Sequence, residues 1–187
     1  MQDTMTRNIV NDLDLDALGE VVAGINADPT RAAARFGVTT RWTGQTRSES
    51  VVHDISLGGE KIDRSFRILV DEPEELLGTN SAPNPQELLL SALNACMTVG
   101  YVAGAAIRGI NLHRLEIETT GELDLRGFLD LGDAIAPGYP VIDYVVRISG
   151  DGTPEQFEEI HRAVMATSPN YDNVARAIRM NGRLELV

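Results

Sequence analysis

Cys96 is the only cysteine in the 187-residue chain, so any thiol or redox chemistry depends on this one side chain. A single cysteine cannot form a disulfide within the chain. It lies in an uncharged segment, residues 88–107, among neighbours such as Ala92 and Leu93. A cysteine in such surroundings is commonly an inert packing residue, because burial among apolar groups disfavours the reactive thiolate. Taken alone, these residues favour a packing role for Cys96 over a reactive one.

The other residue types that carry chemistry do not form a recognisable metal or cofactor motif. His53, His113 and His161 fall on separate predicted elements without ligand spacing, so we expect no metal site. The acids between Asp124 and Asp133 lack the alternation and the closing glutamate of a calcium loop. The sequence contains no Gly-x-Gly-x-x-Gly motif, P-loop or Gly-x-Ser-x-Gly motif. We therefore expect no cofactor.

The composition is typical of a globular protein with a strongly negative surface. Apolar residues make up 43% of the chain and charged residues 24%, and the length fits one domain. Sixteen basic residues against 28 acidic ones give a net charge of −12. Such a surface repels phosphate groups, so we expect neither nucleic acid nor membrane as a partner. The N-terminal residues lack the continuous apolar run of a secretory signal, which predicts a cytoplasmic protein.

The uncharged segment predicts a long central helix. Pro85 suits the first helical turn with Asn84 as its N-cap, and Gly109 would close the helix after about Arg108. Residues 88–107 are long enough to cross a bilayer, but several polar residues dilute the segment. We therefore predict a helix that is buried on nearly all sides in a protein core.

Hydrophobic spacing divides the chain into residues 1–36, a helical N-terminal extension, and residues 37–187, the main domain. Asn11 or Asp12 is the predicted cap of the first helix, and Thr30 that of a short second helix. These helices would precede the first predicted strand.

Alternating and β-branched residues at 38–70 predict a three-stranded antiparallel meander. His53 and Asp54 are adjacent in its second strand, so their side chains should point to opposite faces. The remaining predicted elements are strands at 111–125 and 139–149, helices at 154–166 and 169–177, and a closing strand at 178–187. This order of elements predicts an α+β fold.

Residues 84–96, NPQELLLSALNAC, resemble the signature of the OsmC/Ohr family (osmotically inducible protein C-like; organic hydroperoxide resistance). In that signature Asn-Pro-Glu-x-Leu precedes a reactive cysteine on the same helix at this spacing. With the order of elements, the resemblance covers roughly residues 38–187. It implies an OsmC-like fold, with an antiparallel β-meander, a long buried central helix, a second βαα-β segment and an intertwined homodimer.

The resemblance also implies the reduction of organic hydroperoxides in oxidative-stress defence. A thiolate becomes a sulfenic acid, a second cysteine condenses with it, and an external thiol or dithiol resets the pair. Cys96 takes the reactive position. The family's activating arginine corresponds best to Arg47, with Arg41 as the alternative, since a guanidinium favours the thiolate and can hydrogen-bond the peroxide.

Two positions depart from the family pattern. The family glutamate falls on neutral Gln86, with Glu87 one position further, and the second cysteine falls on Ser168, which cannot form a disulfide. Three functions remain open. The first is a single-cysteine, thiol-dependent peroxidase acting through Cys96. The second is a non-redox module that binds a small molecule or an acyl ligand, and the third is hydrolysis or transfer through a Cys96 thioester, for which His53 or His161 would have to be the base.

Overall fold

The computed structural model describes residues 8–132 and 134–187. The chain divides into two compact units, one ending at Leu89 and the other beginning at Leu90. The division of the sequence into an extension and a main domain at residue 36 stays a prediction.

A short β-hairpin precedes the first helix. Strand β1, Ile9–Val10, pairs antiparallel with strand β2, Leu13–Asp14. Asn11 and Asp12 join them with left-handed backbone angles, φ 52° and 61°. The prediction that one of these two residues caps the helix is therefore wrong, because both belong to the hairpin turn. The part of the predicted extension before residue 8 lies outside the described residues.

Helix α1 spans Leu15–Ala27, and its cap is Asp14, whose carboxylate accepts two backbone N–H groups of the first turn. Asp28 follows the helix and caps the 3-10 turn Pro29–Ala32. Thr30 was the predicted cap of this turn, but it donates its backbone N–H to the Asp28 carboxylate at 3.0 Å. In both places a nearby aspartate accepts the free N–H groups instead of the predicted residue.

The first unit contains the predicted meander. Its strands are β3 (Ala34–Gly44), β4 (Arg47–Leu57), β5 (Glu60–Lys61) and β6 (Arg67–Val70). Strand β4 pairs antiparallel with β3 on one side and with β5 and β6 on the other. The predicted third strand is thus divided into two short strands, β5 and β6. Strand β3 begins at Ala34, four residues before the predicted start at Val38.

A bulge interrupts β4 at Asp54, whose φ of 50° lies in the left-handed region. The bulge brings the carboxylate of Asp54 within 3.1 Å of Nδ1 of His53. The other ring nitrogen of His53, Nε2, lies 2.7 Å from the hydroxyl of Thr39 on β3. The prediction that His53 and Asp54 point to opposite faces is therefore wrong, because it assumed a regular strand.

Helix α2 spans Pro85–Ile107, as predicted, and runs from the first unit into the second. Its buried residues are Leu93, Met97, Tyr101, Ala105 and Ala106. Val99 is 69% exposed in the single chain and Ile107 is 64% exposed, so the predicted burial on nearly all sides is not reached there. Among the described residues this is the one helix long and apolar enough to cross a membrane, a property that core helices of soluble proteins share.

In the second unit, helices α4 and α5 and a pair of antiparallel strands pack against α2. Its elements are β7 (Leu112–Gly121), α3 (Leu125–Phe128), β8 (Ile142–Gly150), α4 (Pro154–Thr167) and α5 (Pro169–Ala175). Strands β7 and β8 are antiparallel, and their alternate side chains pack on the buried face of α2 and on α4. Residues 176–187 form neither helix nor strand, so the predicted closing strand is wrong for the single chain.

Two glycines allow α4 to approach α2 closely. A Cβ atom at Gly100 would lie 3.1 Å from a methyl group of Val164, and one at Gly104 would lie 3.2 Å from a methyl group of Ile160. Both distances are tighter than ordinary side-chain contacts. The two glycines therefore allow α4 to lie close to α2 at Ile160 and Val164. The predicted α+β class, with antiparallel sheets and a long central helix, is confirmed.

Candidate functional site

Cys96 and Ser168 meet in the second unit. Cys96 lies in the middle of α2 and is half-buried, and Ser168 lies between α4 and α5 and is 5% exposed. The hydroxyl of Ser168 donates a hydrogen bond to the sulfur of Cys96, with 3.3 Å between the two atoms. The two residues are 72 positions apart in the chain, so only the fold brings them together.

The backbone on both sides holds Ser168 in place. Its N–H donates to the carbonyl of Val164 at the end of α4, and its hydroxyl oxygen accepts the N–H of Tyr171 as the N-cap of α5. The side chain of Asn170 donates to the carbonyl of Ala92 on α2 at 2.8 Å. Ser168 is therefore both a helix cap and the hydrogen-bond donor to the Cys96 sulfur.

Asn94 fixes the same part of α2 against strand β7. Its amide donates to the carbonyl of Ile117 at 3.2 Å and accepts the hydroxyl of Thr119 at 2.5 Å. Asn94 lies two positions before Cys96, so these bonds hold the helix that carries the thiol against the hairpin. Sequence reasoning treated Asn94 only as a polar interruption of the apolar segment.

Glu87 caps the helix that carries Cys96. Its carboxylate accepts the backbone N–H of Asn84 at 2.8 Å, and Asn84 accepts the N–H of Glu87 at 2.8 Å. This reciprocal pair is a capping box. Gln86 is half-buried, and its side chain has no hydrogen-bond partner within the described part of the chain. The helix cap thus accounts for Glu87, whereas no hydrogen bond among the described residues accounts for Gln86.

Arg47 and Arg41 lie in the first unit. Arg47 is exposed and begins β4, directly after the two-residue turn Gln45-Thr46. Arg41 is exposed on β3, where it lies opposite Glu49 in the register of the sheet. Among residues 8–89 neither guanidinium forms an ion pair that holds it in one position.

A buried carboxylate that sequence reasoning missed anchors the turn before Arg47. Asp71 is 0% exposed and accepts six hydrogen bonds of 2.6 to 3.1 Å. The donors are the hydroxyl of Thr46, the backbone N–H of Glu72, and both the hydroxyl and the N–H of Thr79 and of Ser81. Led by the hydroxyl of Thr79, these bonds hold the pKa of Asp71 well below its usual range, although burial opposes the shift.

A second polar contact fixes the same turn. The side chain of Gln45 donates to the carbonyl of Leu77 at 2.6 Å, and the indole N–H of Trp42 donates to the carbonyl of Gln45 at 2.8 Å. The turn before Arg47 is therefore bound to the 71–81 loop through both of its residues. The Thr-x-Ser spacing at 79–81 is the one sequence signal that could have indicated a hydroxyl-bound carboxylate.

His161, named as a base for thioester chemistry, lies on α4 and is engaged by Tyr101 of α2. The phenol oxygen of Tyr101 lies 2.5 Å from Nδ1 of His161, and the two rings stack with 6.1 Å between their centroids. Burial raises the pKa of Tyr101, so this phenol keeps its proton at neutral pH, and the direction of the hydrogen bond follows the tautomer of His161. His53 lies on β4 in the first unit.

No group of three or more His, Cys, Asp or Glu side chains suitable for a metal occurs in residues 8–132 and 134–187. Among the predicted site residues, a side-chain hydrogen bond joins Cys96 and Ser168. The roles assigned to Arg47, Gln86 and Glu87 stay predictions.

The comparisons with known proteins agree with this architecture. Residues 78–181, more than half of the chain, match the family of OsmC-like proteins. The matched range contains Gln86, Glu87, Cys96 and Ser168, whereas Arg47 precedes it. The sequence matches none of the curated proteins with which it was compared.

Solved structures show the same fold at low sequence identity. A protein of Psychrobacter arcticus proposed to be induced by osmotic stress and to act in detoxification is 15% identical, with a TM-score of 0.55, covering 72% of this chain and 85% of that one. An OsmC-like protein of Mycoplasma pneumoniae is 16% identical, with a TM-score of 0.54, covering 76% and 87%. An OsmC-like protein of unknown function from Vibrio cholerae is 14% identical, with a TM-score of 0.52, covering 75% and 93%. Together with the family match, these structures confirm the resemblance, and the chain belongs to the OsmC-like protein family.

Proposed function

We propose that this protein is a thiol-dependent reductase of organic hydroperoxides that acts through Cys96 alone. The observation that carries the proposal is the hydrogen bond from the Ser168 hydroxyl to the Cys96 sulfur. Membership of the OsmC-like family supports a general stress-related redox role for the chain. A free thiol near neutral pH is only a few per cent thiolate, so a donor aimed at the sulfur favours the reactive anion.

The proposed cycle oxidises and then reduces one sulfur atom. The Cys96 thiolate attacks the terminal oxygen of the hydroperoxide, the O–O bond breaks, and the alcohol leaves with a proton from solvent. Cys96 becomes a sulfenic acid. An external thiol then condenses with it, releasing water and forming a mixed disulfide, and a second thiol exchanges with that disulfide to regenerate Cys96. An external dithiol can carry out both reducing steps.

Ser168 takes part in this cycle as a donor and not as a resolving group. A hydroxyl cannot accept the sulfenic sulfur as a disulfide partner, but it can hydrogen-bond the thiolate and later the sulfenic oxygen. Arg47 is the proposed guanidinium that stabilises the thiolate, with Arg41 as the alternative. Gln86 takes the position of the family glutamate and could orient the guanidinium through its amide oxygen, while Glu87 remains the cap of α2.

The proposal includes a cytoplasmic homodimer with a cellular thiol or dithiol as the reductant. Several apolar side chains of α2 are exposed in the single chain, among them Val99 and Ile107, and they support a second copy as their cover. The C-terminal residues 178–187 alternate apolar and polar side chains and have no strand partner among the residues that the structure describes, which supports their pairing with a sheet edge of that copy.

The test is the intact mass of the reduced protein after one equivalent of cumene hydroperoxide, beside the Cys96→Ser variant. We expect rapid addition of one oxygen atom to the native protein, reversed by dithiothreitol, and no addition to the variant. Arg47→Ala and Arg41→Ala form a matched pair, of which Arg47→Ala should slow the reaction and Arg41→Ala should not. A native protein that gains no oxygen under these conditions contradicts the peroxidase proposal.

The second candidate function is a non-redox module that binds a small apolar molecule or an acyl group. The observation that favours it is the carboxylate of Glu87, which caps α2, together with the neutral Gln86 in the position of the family acid. Alkylation of Cys96 separates the two functions. A thiol activated by its surroundings reacts quickly with iodoacetamide near neutral pH, whereas a packing residue reacts slowly and only above about pH 8.5.

A further inference from the structure

An open cleft of about 490 Å³ lies in the second unit, between strand β8 and helices α2 and α4. Neither Cys96 nor Ser168 lines it. Its walls include the aromatic rings of Tyr101, Tyr144 and Phe157. The volume lies within the range of small-molecule sites, and the aromatic walls favour a flat apolar ligand.

Two polar groups face this cleft from α4. His161 uses Nδ1 for the hydrogen bond with Tyr101, and its Nε2 has no hydrogen-bond partner among the described residues. The buried Tyr101 hydroxyl has no other acceptor among the described residues, which assigns it as the donor to Nδ1. In that tautomer the neutral imidazole carries its proton on Nε2 and offers a donor. Glu158, three positions earlier on α4, also lines the cleft and offers a carboxylate acceptor. Its ion pair with Arg162 is long, at 4.0 Å.

The charges select the kind of ligand. The Glu158 carboxylate and the net charge of −12 disfavour an anion such as a fatty acid. Burial raises the pKa of both Tyr101 and Tyr144, so the aromatic wall is uncharged at neutral pH. A donor on His161 and an acceptor on Glu158 together match a group that can both accept and donate a hydrogen bond. A neutral phenolic hydroxyl is such a group.

We propose that the cleft between β8 and α4 is a binding site for small neutral phenols, separate from the Cys96–Ser168 contact. The ligand ring packs between Tyr144 and Phe157. Its hydroxyl accepts from Nε2 of His161 and donates to Glu158. This site is independent of the redox chemistry at Cys96, and binding at the cleft does not require a reactive thiol.

The experiment is saturation-transfer NMR on the full-length protein with 2-naphthol, its methyl ether and 2-naphthoate as probes, followed by calorimetric titration. We expect transfer to 2-naphthol, an affinity roughly tenfold lower for the ether, which lacks the donor, and no binding of the anion. Absence of transfer to 2-naphthol, or equal binding of 2-naphthoate, overturns the proposal.

Variants locate the site. Glu158→Gln should weaken 2-naphthol binding severalfold, and Glu159→Gln, at an exposed neighbour on the same helix, should not. Phe157 forms one aromatic wall of the cleft and is half-buried, so Phe157→Leu should weaken 2-naphthol binding without unfolding the protein, which circular dichroism checks. Binding that is unchanged in both Glu158→Gln and Phe157→Leu contradicts a site in this cleft.

Discussion

The hydroxyl of Ser168 donates a hydrogen bond to the sulfur of Cys96, with 3.3 Å between the two atoms, although the residues are 72 positions apart in the chain. The same hydroxyl oxygen accepts a backbone N–H as the N-cap of α5. A hydroxyl can do both at once, because it has one proton to donate and two lone pairs. One atom therefore connects the stability of α5 with the environment of the only thiol.

The first prediction concerns the substitution Ser168→Cys. The short distance between the two side chains should allow a disulfide with Cys96 after a modest adjustment. We expect diamide to remove two hydrogen atoms from the intact mass, with no dimer on non-reducing gels. Thr167→Cys, at the preceding exposed position, should not form the intramolecular bond.

Treating the Ser168→Cys variant with a hydroperoxide gives a second, independent test. Diamide tests whether the two sulfur atoms can meet, whereas cumene hydroperoxide also requires Cys96 to be reactive. A Ser168→Cys protein that closes with diamide and not with the hydroperoxide would contradict the peroxidase proposal while leaving the geometry intact. Failure with both oxidants would contradict the contact itself.

The second prediction concerns Ser168→Ala, which removes the donor to Cys96 together with the cap of α5. We expect a loss of about 1 kcal/mol in the free energy of unfolding. We also expect a severalfold slower alkylation of Cys96 near neutral pH, because the thiolate loses a hydrogen bond. Denaturant unfolding and iodoacetamide kinetics measure the two effects.

Thr153→Ala is the matched control. Thr153 caps α4 in a capping box, so its loss should cost similar stability. It lies at the other end of α4, about 22 Å from Ser168 along the helix. Its alkylation rate should equal that of the native protein. If both variants slow alkylation equally, the effect reflects general loosening and not the hydrogen bond.

The third prediction concerns Asp71 and pH. Its native pKa is held well below the usual range by hydrogen bonds from Thr79, Ser81 and Thr46, so the folded state favours the charged form. The stabilisation is complete above the unfolded-state pKa of about 3.9 and is lost as pH falls below it. Asp71→Asn should lower the melting temperature at neutral pH by several degrees.

Urea unfolding from about pH 4 to about pH 2 measures this linkage. The free energy of unfolding of the native protein should fall more steeply over that interval than that of Asp71→Asn. Asp63→Asn, at an exposed position, should follow the native curve. Parallel curves for the native protein and Asp71→Asn would contradict the assigned role of this carboxylate.

The fourth prediction concerns the C-terminal residues. Leu184 is 83% exposed and Leu186 is 91% exposed in the single chain. If they form an intermolecular strand, the protein should elute with twice the chain mass of 20.3 kDa in chromatography with light scattering. Leu184→Asp combined with Leu186→Asp should shift it toward the monomer, and Glu185→Gln should not. A native protein that is monomeric contradicts the proposed dimer.

Elements whose signals are local in sequence were predictable. Asn84-Pro85 and Thr153-Pro154 each place a cap directly before a proline, and both helices begin there. Capping depends on three or four consecutive residues, so no tertiary information is needed. The start of the helix that carries Cys96 follows from the same local chemistry.

Features that depend on distant partners were not predictable. Asp71 binds donors from the 45–46 turn and from residues 79–81, and no spacing rule connects these segments. The alternation of residues 178–187 indicates a strand, but a strand forms only beside an edge that can pair with it. The bulge at Asp54 could not be predicted either. A strand is recognised by side chains that alternate between its two faces, and one residue with left-handed backbone angles interrupts this alternation without a signal in the sequence.

The candidate site was predictable only in part, and only through the resemblance to the OsmC/Ohr family. The residues themselves favoured a packing role for Cys96, and the family pattern alone connected it with Ser168. Their contact depends on the close packing of α4 against Gly100 and Gly104, which is a tertiary property. Gln86 and Glu87 were placed correctly because they belong to the predicted first turn of α2. The function of Arg47 could not be predicted, because it depends on which groups lie near its guanidinium in the folded protein.

In the proposed peroxidase cycle, the serine oxygen at position 168 determines whether the reduction of an oxidised Cys96 is intramolecular or depends on a second molecule. A cysteine there would react intramolecularly, at an effective concentration that can reach about 10⁵ M or more for well-oriented groups. With serine, every disulfide of Cys96 joins it to another molecule, so its rate of formation is proportional to the concentration of that thiol. The lifetime of the oxidised protein therefore depends on the surrounding thiol pool.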